Sequence, residues 1–202
     1  MTFLESECYH FYNRGNQQQI IFFSDENYLY FLRKVRKEIT LYCDVLAYCL
    51  MPNHFHFLIR IKDEDHPIAP NSNGTIKSDQ MIMHPLSRKI GTLQSSYTRA
   101  IQKQNGFTGS LFQQKSKSKH LEDPQYLLNC FHYIHQNPLR ARLVKRMEDW
   151  PYSSYADYAR LRDGKLPARQ MAYEYLDIPE DGELFMKQSQ EVIPDGLAGG
   201  FF

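Results

Sequence analysis

The chain has 202 residues, enough for one domain with a sizeable core, or for one domain with an appendage. Its net charge of +1 points by itself to no class of partner, and no apolar run approaches the length of a membrane span. The first residues lack the basic start of a signal peptide, and the four cysteines show no paired spacing. We therefore expect a cytoplasmic protein with reduced thiols, neither membrane-spanning nor stabilised by disulfides.

Hydrophobic periodicity and turn residues define the predicted elements. The Pro-, Asn-, Ser- and Gly-rich residues 62–85 show no steady period, so we expect a long surface loop there. In chain order the predictions are a strand over 8–14, a helix over 25–39, strands over 41–50 and 54–61, a helix over 86–104, strand character over 111–121, and a helix from 124 to about 136.

This order, β-α-β-β-α-β followed by one more helix, predicts an α+β fold with a ferredoxin-like antiparallel sheet and helices on one face. We assign residues 1–160 to one domain that contains the long loop. Residues 161–202 form an acidic C-terminal extension, part of which we expect to be disordered.

Positive charge is concentrated in the middle of the chain. Residues 151–202 carry 5 basic and 9 acidic side chains, whereas residues 86–120 carry seven basic side chains and no acidic one. Such a stretch is a candidate phosphate-contacting surface, although a merely solvated face would show the same pattern. The candidate DNA contacts, to which we add one arginine from the first strand, are Arg14, Arg88, Lys89, Arg99, Lys103, Lys115, Lys117 and Lys119.

His54-Phe55-His56 opens a predicted strand. Residues two apart in a strand project from the same face, so the two imidazoles lie side by side while Phe55 points into the core. This arrangement provides half of a metal site. Taken alone, such a pair in a strand is more often two ordinary surface or hydrogen-bonded histidines than a metal site.

Tyr133 and Asn137 stand four residues apart on the last predicted helix and share a face. Pro138 disfavours helical geometry at Asn137, so we expect the helix to end there and the carboxamide oxygen to turn toward a metal. Three ligands beside a phenol suit phosphodiester transesterification, in which the metal polarises the phosphate and the tyrosine attacks.

Plainer interpretations of the same helix stay open. Tyr133 extends a stripe through Tyr126 and Cys130 that is typical of a packed core helix, and Asn137 fits a simple helix C-cap. Tyr126 is a second, more distant candidate nucleophile. The neighbouring histidines His132 and His135 flank this face rather than share it.

Five motifs, taken in order, resemble the REP-associated tyrosine transposases of the single-tyrosine HUH class, over roughly residues 8–160. The motifs are Tyr-His-Phe-Tyr-Asn-Arg-Gly at 9–15, Met-Pro-Asn-His-Phe-His at 51–56, Gly-Ser-Leu-Phe-Gln at 109–113, Tyr-Ile-His-Gln-Asn-Pro-Leu-Arg-Ala at 133–141 and Trp-Pro-Tyr-Ser-Ser-Tyr at 150–155.

The resemblance implies a metal-dependent transposase and endonuclease that cleaves and rejoins single-stranded DNA near palindromic hairpins. Tyr133 would form a 5′-phosphotyrosine intermediate, and His54, His56 and Asn137 would hold Mg²⁺ or Mn²⁺, with Mn²⁺ the better match to imidazole. The sequence departs from the family in its long 62–85 loop and in Arg142, which stands where glycine is common.

Three other functions remain open from the sequence. The main one is a non-catalytic hairpin-DNA-binding protein derived from a transposase. An RNA-binding ferredoxin-like module would place aromatics where the central strand carries His54 and His56, and a zinc hydrolase would need an acidic base beside them. The sequence does not decide between a monomer and a homodimer, and we expect no membrane partner.

Overall fold

The computed structural model describes residues 3–63 and 85–191. They form an α+β fold around a four-stranded antiparallel sheet with the strand order β2-β3-β1-β4. The strands are β1 (Cys8–Arg14), β2 (Cys43–Met51), β3 (His54–Ile61) and β4 (Lys117–His120). The helices are α1 (Asp25–Glu38), α2 (Pro85–Asn105), α3 (Pro124–Arg140), α4 (Tyr155–Tyr158), α5 (Arg169–Tyr175) and α6 (Gly182–Gln188), with 3₁₀ turns at Asn16–Gln18 and Met147–Asp149.

Alternation along the central strand divides the core into two layers. Phe55 and Phe57 on β3 pack with apolar residues of α1 and α2 on one face of the sheet. Leu58, which points the other way, packs with α3 and the C-terminal helices in what we call the second core layer. The two helices of the ferredoxin-like unit therefore share one face as predicted, and α3 lies on the opposite face.

A two-residue turn at Pro52 and Asn53 joins β2 to β3. The turn is anchored from outside the hairpin, because the Gly15 amide donates to the carbonyl oxygen of Asn53 at 2.7 Å. A Cβ atom on Gly15 would meet the carbonyl oxygen of Gln19 at 2.0 Å, so only glycine allows this close approach. The start of β3, where His54 lies, is thus held in place.

The segment after α3 covers the free edge of β2. The amides of Leu50 and Ser154 donate across this edge to the carbonyl oxygens of Tyr152 and Tyr48, at 2.9 and 3.0 Å. Residues 161–191 of the predicted extension form α5 and α6, which pack in the same core as α3. None of the helices in the two described stretches is long and apolar enough to cross a membrane.

The prediction that α3 ends at Asn137 is wrong. The helix continues through Pro138 to Arg140 and its C-cap is Ala141, so Asn137 is not the C-cap either. A proline inside a helix removes one backbone hydrogen bond, and here the proline and the four residues before it are buried.

Arg142 ends α3 in a left-handed conformation, with φ at 57°. Its amide donates to Leu139 and the next amide, of Leu143, donates to Pro138, both at 2.9 Å. These two bonds form a Schellman motif, whose left-handed position favours glycine. The arginine at position 142, where the resemblance leads us to expect glycine, therefore affects the turn that ends α3.

We predicted strand character over 111–121. Within this range the structure has the strand β4, Lys117–His120, and an isolated bridge between Phe112 and Gly15. The loop predicted at 62–85 falls mostly on residues 64–84, which lie outside the described residues, as do residues 192–202 of the extension.

Candidate functional site

Strand register brings a row of polar residues to the sheet face covered by α3. On β1, Arg14 pairs with His54 and Tyr12 pairs with His56. On the other side of β1, Lys117 of β4 pairs with Tyr12. Directly opposed residues of antiparallel strands project from the same face, so these five side chains form one surface.

His54 stands at the start of β3, directly after the hairpin turn. Its Nδ1 atom lies 2.7 Å from Oδ1 of Asn53. Burial lowers the pKa of His54 to about 4, assisted by the positive charge of Arg14 and opposed by a hydrogen bond to the Asn137 side chain. The imidazole is therefore neutral at physiological pH, as a metal ligand must be.

His56 is fully buried and has a histidine partner that the sequence analysis missed. Its Nδ1 atom lies 2.9 Å from Nε2 of His10, which is also fully buried. Burial holds the pKa of His56 well below its usual range and lowers that of His10 to about 3. The sequence carried a signal for this partner. His10, Tyr12 and Arg14 alternate along β1, so their side chains share one face of the strand.

Asn137 connects α3 to this histidine pair. Side-chain hydrogen bonds link its carboxamide to His54 and to Tyr133, and its Nδ2 atom also donates to the Tyr133 carbonyl oxygen at 2.9 Å. We expected Asn137 to stand at the end of the helix, and that prediction was wrong. Its side chain nevertheless reaches His54 from within the helix.

Tyr133 packs against the same pair. Its ring stands edge-on to His56, with ring centroids 5.7 Å apart, and only 4% of the residue is exposed. Burial raises the pKa of the phenol, opposed by the Asn137 hydrogen bond and the positive charge of Arg140. The phenol is therefore protonated at neutral pH, and all four predicted residues meet within one chain.

The candidate donors for a divalent ion are the imidazole nitrogens of His54 and His56 and the carboxamide oxygen of Asn137. Asn53 and His10 engage the Nδ1 atoms of His54 and His56, so the buried Nε2 atoms are the nitrogens suited to a metal. Within residues 3–63 and 85–191, no group of three or more His, Cys, Asp or Glu side chains could hold a metal ion. A metal site here would therefore need the oxygen of Asn137 as its third donor, and two imidazole nitrogens with one carboxamide oxygen are donor types that would suit Mn²⁺ better than Mg²⁺.

A cavity of about 280 Å³ opens beside the candidate site. It is lined by one aromatic, two amide and two cationic residues, namely Tyr12, Asn13, Arg14, Gln113 and Lys117. The Lys117 ammonium lies 5.8 Å from the centre of the Tyr12 ring. This lining suits a polar, anionic ligand.

The eight candidate DNA contacts do not form one surface around the histidines. Lys119 follows Lys117 on β4 with the same orientation, and its ammonium donates to the Tyr126 hydroxyl at 2.6 Å. Lys115 is exposed just before β4. The remaining four lie on α2, which packs on the opposite face of the sheet, and they are Arg88, Lys89, Arg99 and Lys103.

The two histidines that flank Tyr133 lie in the second core layer. The Nε2 atom of His135 lies 2.7 Å from the Ser154 hydroxyl, and His132 packs near Phe185 with a ring-centroid distance of 6.3 Å. Both are buried, and burial lowers the pKa of each. These contacts agree with the prediction that neither joins the candidate site.

No family model matches the chain. A Haemophilus influenzae protein named "Putative REP-associated tyrosine transposase" is 24% identical over 121 residues, which is 55% of this chain and 58% of that protein. The match thus spans little more than half of the relative's length.

A solved structure of a REP-associated tyrosine transposase bound to a REP hairpin has the same fold. The TM-score is 0.57 at 14% identity, over 79% of this chain and 83% of that one. The resemblance to REP-associated tyrosine transposases that the motifs predicted is therefore confirmed by a named relative and by a shared fold.

Proposed function

We propose that this chain is a transposase that cleaves and rejoins single-stranded DNA beside hairpins, with Tyr133 as its nucleophile. The observation that carries the proposal is the convergence of Tyr133 and Asn137 on His54 and His56. The hairpin bound in the solved structure of similar fold supports hairpin DNA as the substrate.

His54, His56 and Asn137 would hold a divalent metal through two imidazole nitrogens and one carboxamide oxygen. When bound, the metal would supply Lewis-acid polarisation of the scissile phosphate. Because burial keeps both imidazoles neutral, their lone pairs need not be freed by deprotonation. Mn²⁺ suits this nitrogen-rich set better than Mg²⁺.

Tyr133 would attack the scissile phosphorus through its phenolic oxygen. The P–O bond to the tyrosine forms as the bond to the 3′-oxygen breaks, the phenol loses its proton and the departing 3′-oxygen gains one. The phosphodiester becomes a phosphotyrosine diester, so no nucleotide cofactor is needed for rejoining. The Asn137 hydrogen bond and the charge of Arg140 favour the phenolate and partly offset burial.

The cavity beside the site offers a path for the strand. Arg14 and Lys117 line it on the histidine face, and Lys119 continues the row of positive charge along β4. Phosphate contacts from these side chains would position the strand without reading its sequence. The four basic residues of α2 would have to contact a different part of the DNA.

The burial of Tyr133 favours a second candidate function, a hairpin-DNA-binding protein without transfer activity. With 4% of the residue exposed, the phenol must become accessible before it can reach a phosphate. Of the two candidates, only the transposase would cleave the DNA and form a covalent adduct with it.

The test incubates the protein with end-labelled hairpin DNA carrying a single-stranded flank, with and without Mn²⁺. We expect cleavage and a denaturation-resistant adduct that require Mn²⁺. Tyr133→Phe should lose both and keep DNA binding, whereas Tyr126→Phe should keep all three. Hairpin binding without cleavage in the wild type would support the non-catalytic candidate.

A matched pair of variants tests the DNA surface. Lys117→Gln with Lys119→Gln removes two charges from the histidine face, and Arg99→Gln with Lys103→Gln removes two from α2. We expect the first pair to reduce the salt dependence of single-strand binding by about 0.7 unit per lost contact. A larger reduction from the α2 pair would place the strand on the other face.

A further inference from the structure

A fully buried histidine on β1 contacts the candidate metal site without belonging to the ligand set. We propose that His10 is a positioning residue that fixes the tautomer of His56, so that its Nε2 atom carries the lone pair. The inference rests on the proposed metal site and adds a residue to which neither the sequence nor the comparisons assign a role.

The geometry allows two arrangements of one proton. The Nε2 atom of His10 and the Nδ1 atom of His56 lie 2.9 Å apart, and the rings stack with centroids 5.0 Å apart. A hydrogen bond between two ring nitrogens requires a proton on one of them. If His10 donates, a neutral His56 carries its own proton on Nε2 and cannot bind a metal there. If His10 accepts, the lone pair is on Nε2 of His56.

His54 shows which arrangement the site requires. Its Nδ1 atom faces the Oδ1 atom of Asn53 at 2.7 Å, and an amide oxygen can only accept. The proton of His54 is therefore on Nδ1 and its lone pair is on Nε2. For both imidazoles to present the same nitrogen, His10 must accept from His56 as Asn53 accepts from His54.

Two substitutions at His10 separate this role from packing. His10→Gln keeps a carboxamide oxygen that can accept from Nδ1 of His56, whereas His10→Phe keeps an aromatic ring and removes the acceptor. Outer partners of ligating histidines commonly contribute about 10- to 100-fold in metal affinity. We expect a loss of this size for His10→Phe and affinity close to that of the wild type for His10→Gln.

The first measurement needs no metal. Long-range ¹H–¹⁵N correlation spectra of the ¹⁵N-labelled wild type report which ring nitrogen of His56 carries the proton. We expect it on Nδ1. A proton on Nε2 would overturn the inference, whatever the variants do.

The second measurement is Mn²⁺ affinity by electron paramagnetic resonance, with circular dichroism to confirm that each variant is folded. Equal affinity in the wild type and folded His10→Phe would overturn the inference and leave the proposed function intact. Absence of Mn²⁺ binding in the wild type would instead refute the proposed metal site. If His10→Phe does not fold, the wild-type spectrum and His10→Gln still decide: loss of Mn²⁺ affinity in folded His10→Gln would contradict the inference.

Discussion

Acid should destabilise this protein through His132, a buried histidine of α3 that is not one of the candidate metal ligands. Neither ring nitrogen of His132 has a hydrogen-bond partner among the described residues, and burial lowers its pKa from 6.5 to about 4. As pH falls, the unfolded chain therefore binds this proton before the folded one does. The contribution of neutral His132 to stability is complete above pH 6.5 and is lost progressively as pH falls toward 4.

The size of the effect follows from the pKa difference. At pH 5 the predicted loss from His132 alone is about 2 kcal/mol relative to pH 7.5. Urea unfolding at both pH values, followed by fluorescence of Trp150, the only tryptophan, gives the free energy of unfolding. The substitution His132→Leu keeps an apolar side chain in the pocket and should remove about 2 kcal/mol of the pH dependence.

A control keeps the assay specific. Gln125→Leu adds a leucine at an exposed position of the same helix and removes no titrating group, so it should keep the wild-type pH dependence. If His132→Leu loses as much stability between pH 7.5 and 5 as the wild type, burial of a neutral imidazole is not the cause and the reasoning is refuted.

Three further substitutions test the fold by thermal or urea unfolding. Arg142→Gly should relieve the backbone strain of the left-handed conformation after α3. We expect the free energy of unfolding to rise by up to about 1 kcal/mol, or Tm by about 2–4 °C. No change would show that arginine is unstrained there. Gly15→Ala should lower Tm, because its Cβ would meet Gln19 at 2.0 Å, and an unchanged Tm would contradict that contact. Asp157→Ala should cost about 3 kcal/mol, since it leaves Arg162 without its buried carboxylate at 2.7 Å, and a loss below about 1 kcal/mol would count against that pair.

Regular periodicity explains why the element order and the histidine face could be predicted. Period-two alternation places His54 and His56 on one side of β3, with Phe55 on the other side packed in the core. The same local reasoning put Tyr133 and Asn137 on one face of a helix. Local periodicity does not show which strands pair, so it could not place His10 of β1 beside His56 of β3.

Two other differences between the sequence predictions and the structure arise from tertiary structure. Local preference ends α3 before Pro138, but the helix continues to Arg140, with Asn137 and Pro138 buried within it. The acid-free stretch looked like one surface because its charges are close in the chain. The structure separates them, since α2 carries Arg88 to the opposite side of the sheet from Lys117.

The proposed function requires Tyr133 to form a covalent bond to DNA. Trypsin would release residues 120–140 as one peptide that contains both Tyr126 and Tyr133, so fragmentation by tandem mass spectrometry can tell them apart. After incubation with hairpin DNA and Mn²⁺ and nuclease trimming, we expect a nucleotide attached through phosphate to Tyr133. A nucleotide on Tyr126, or cleaved DNA with no modified tyrosine in this peptide, would contradict it.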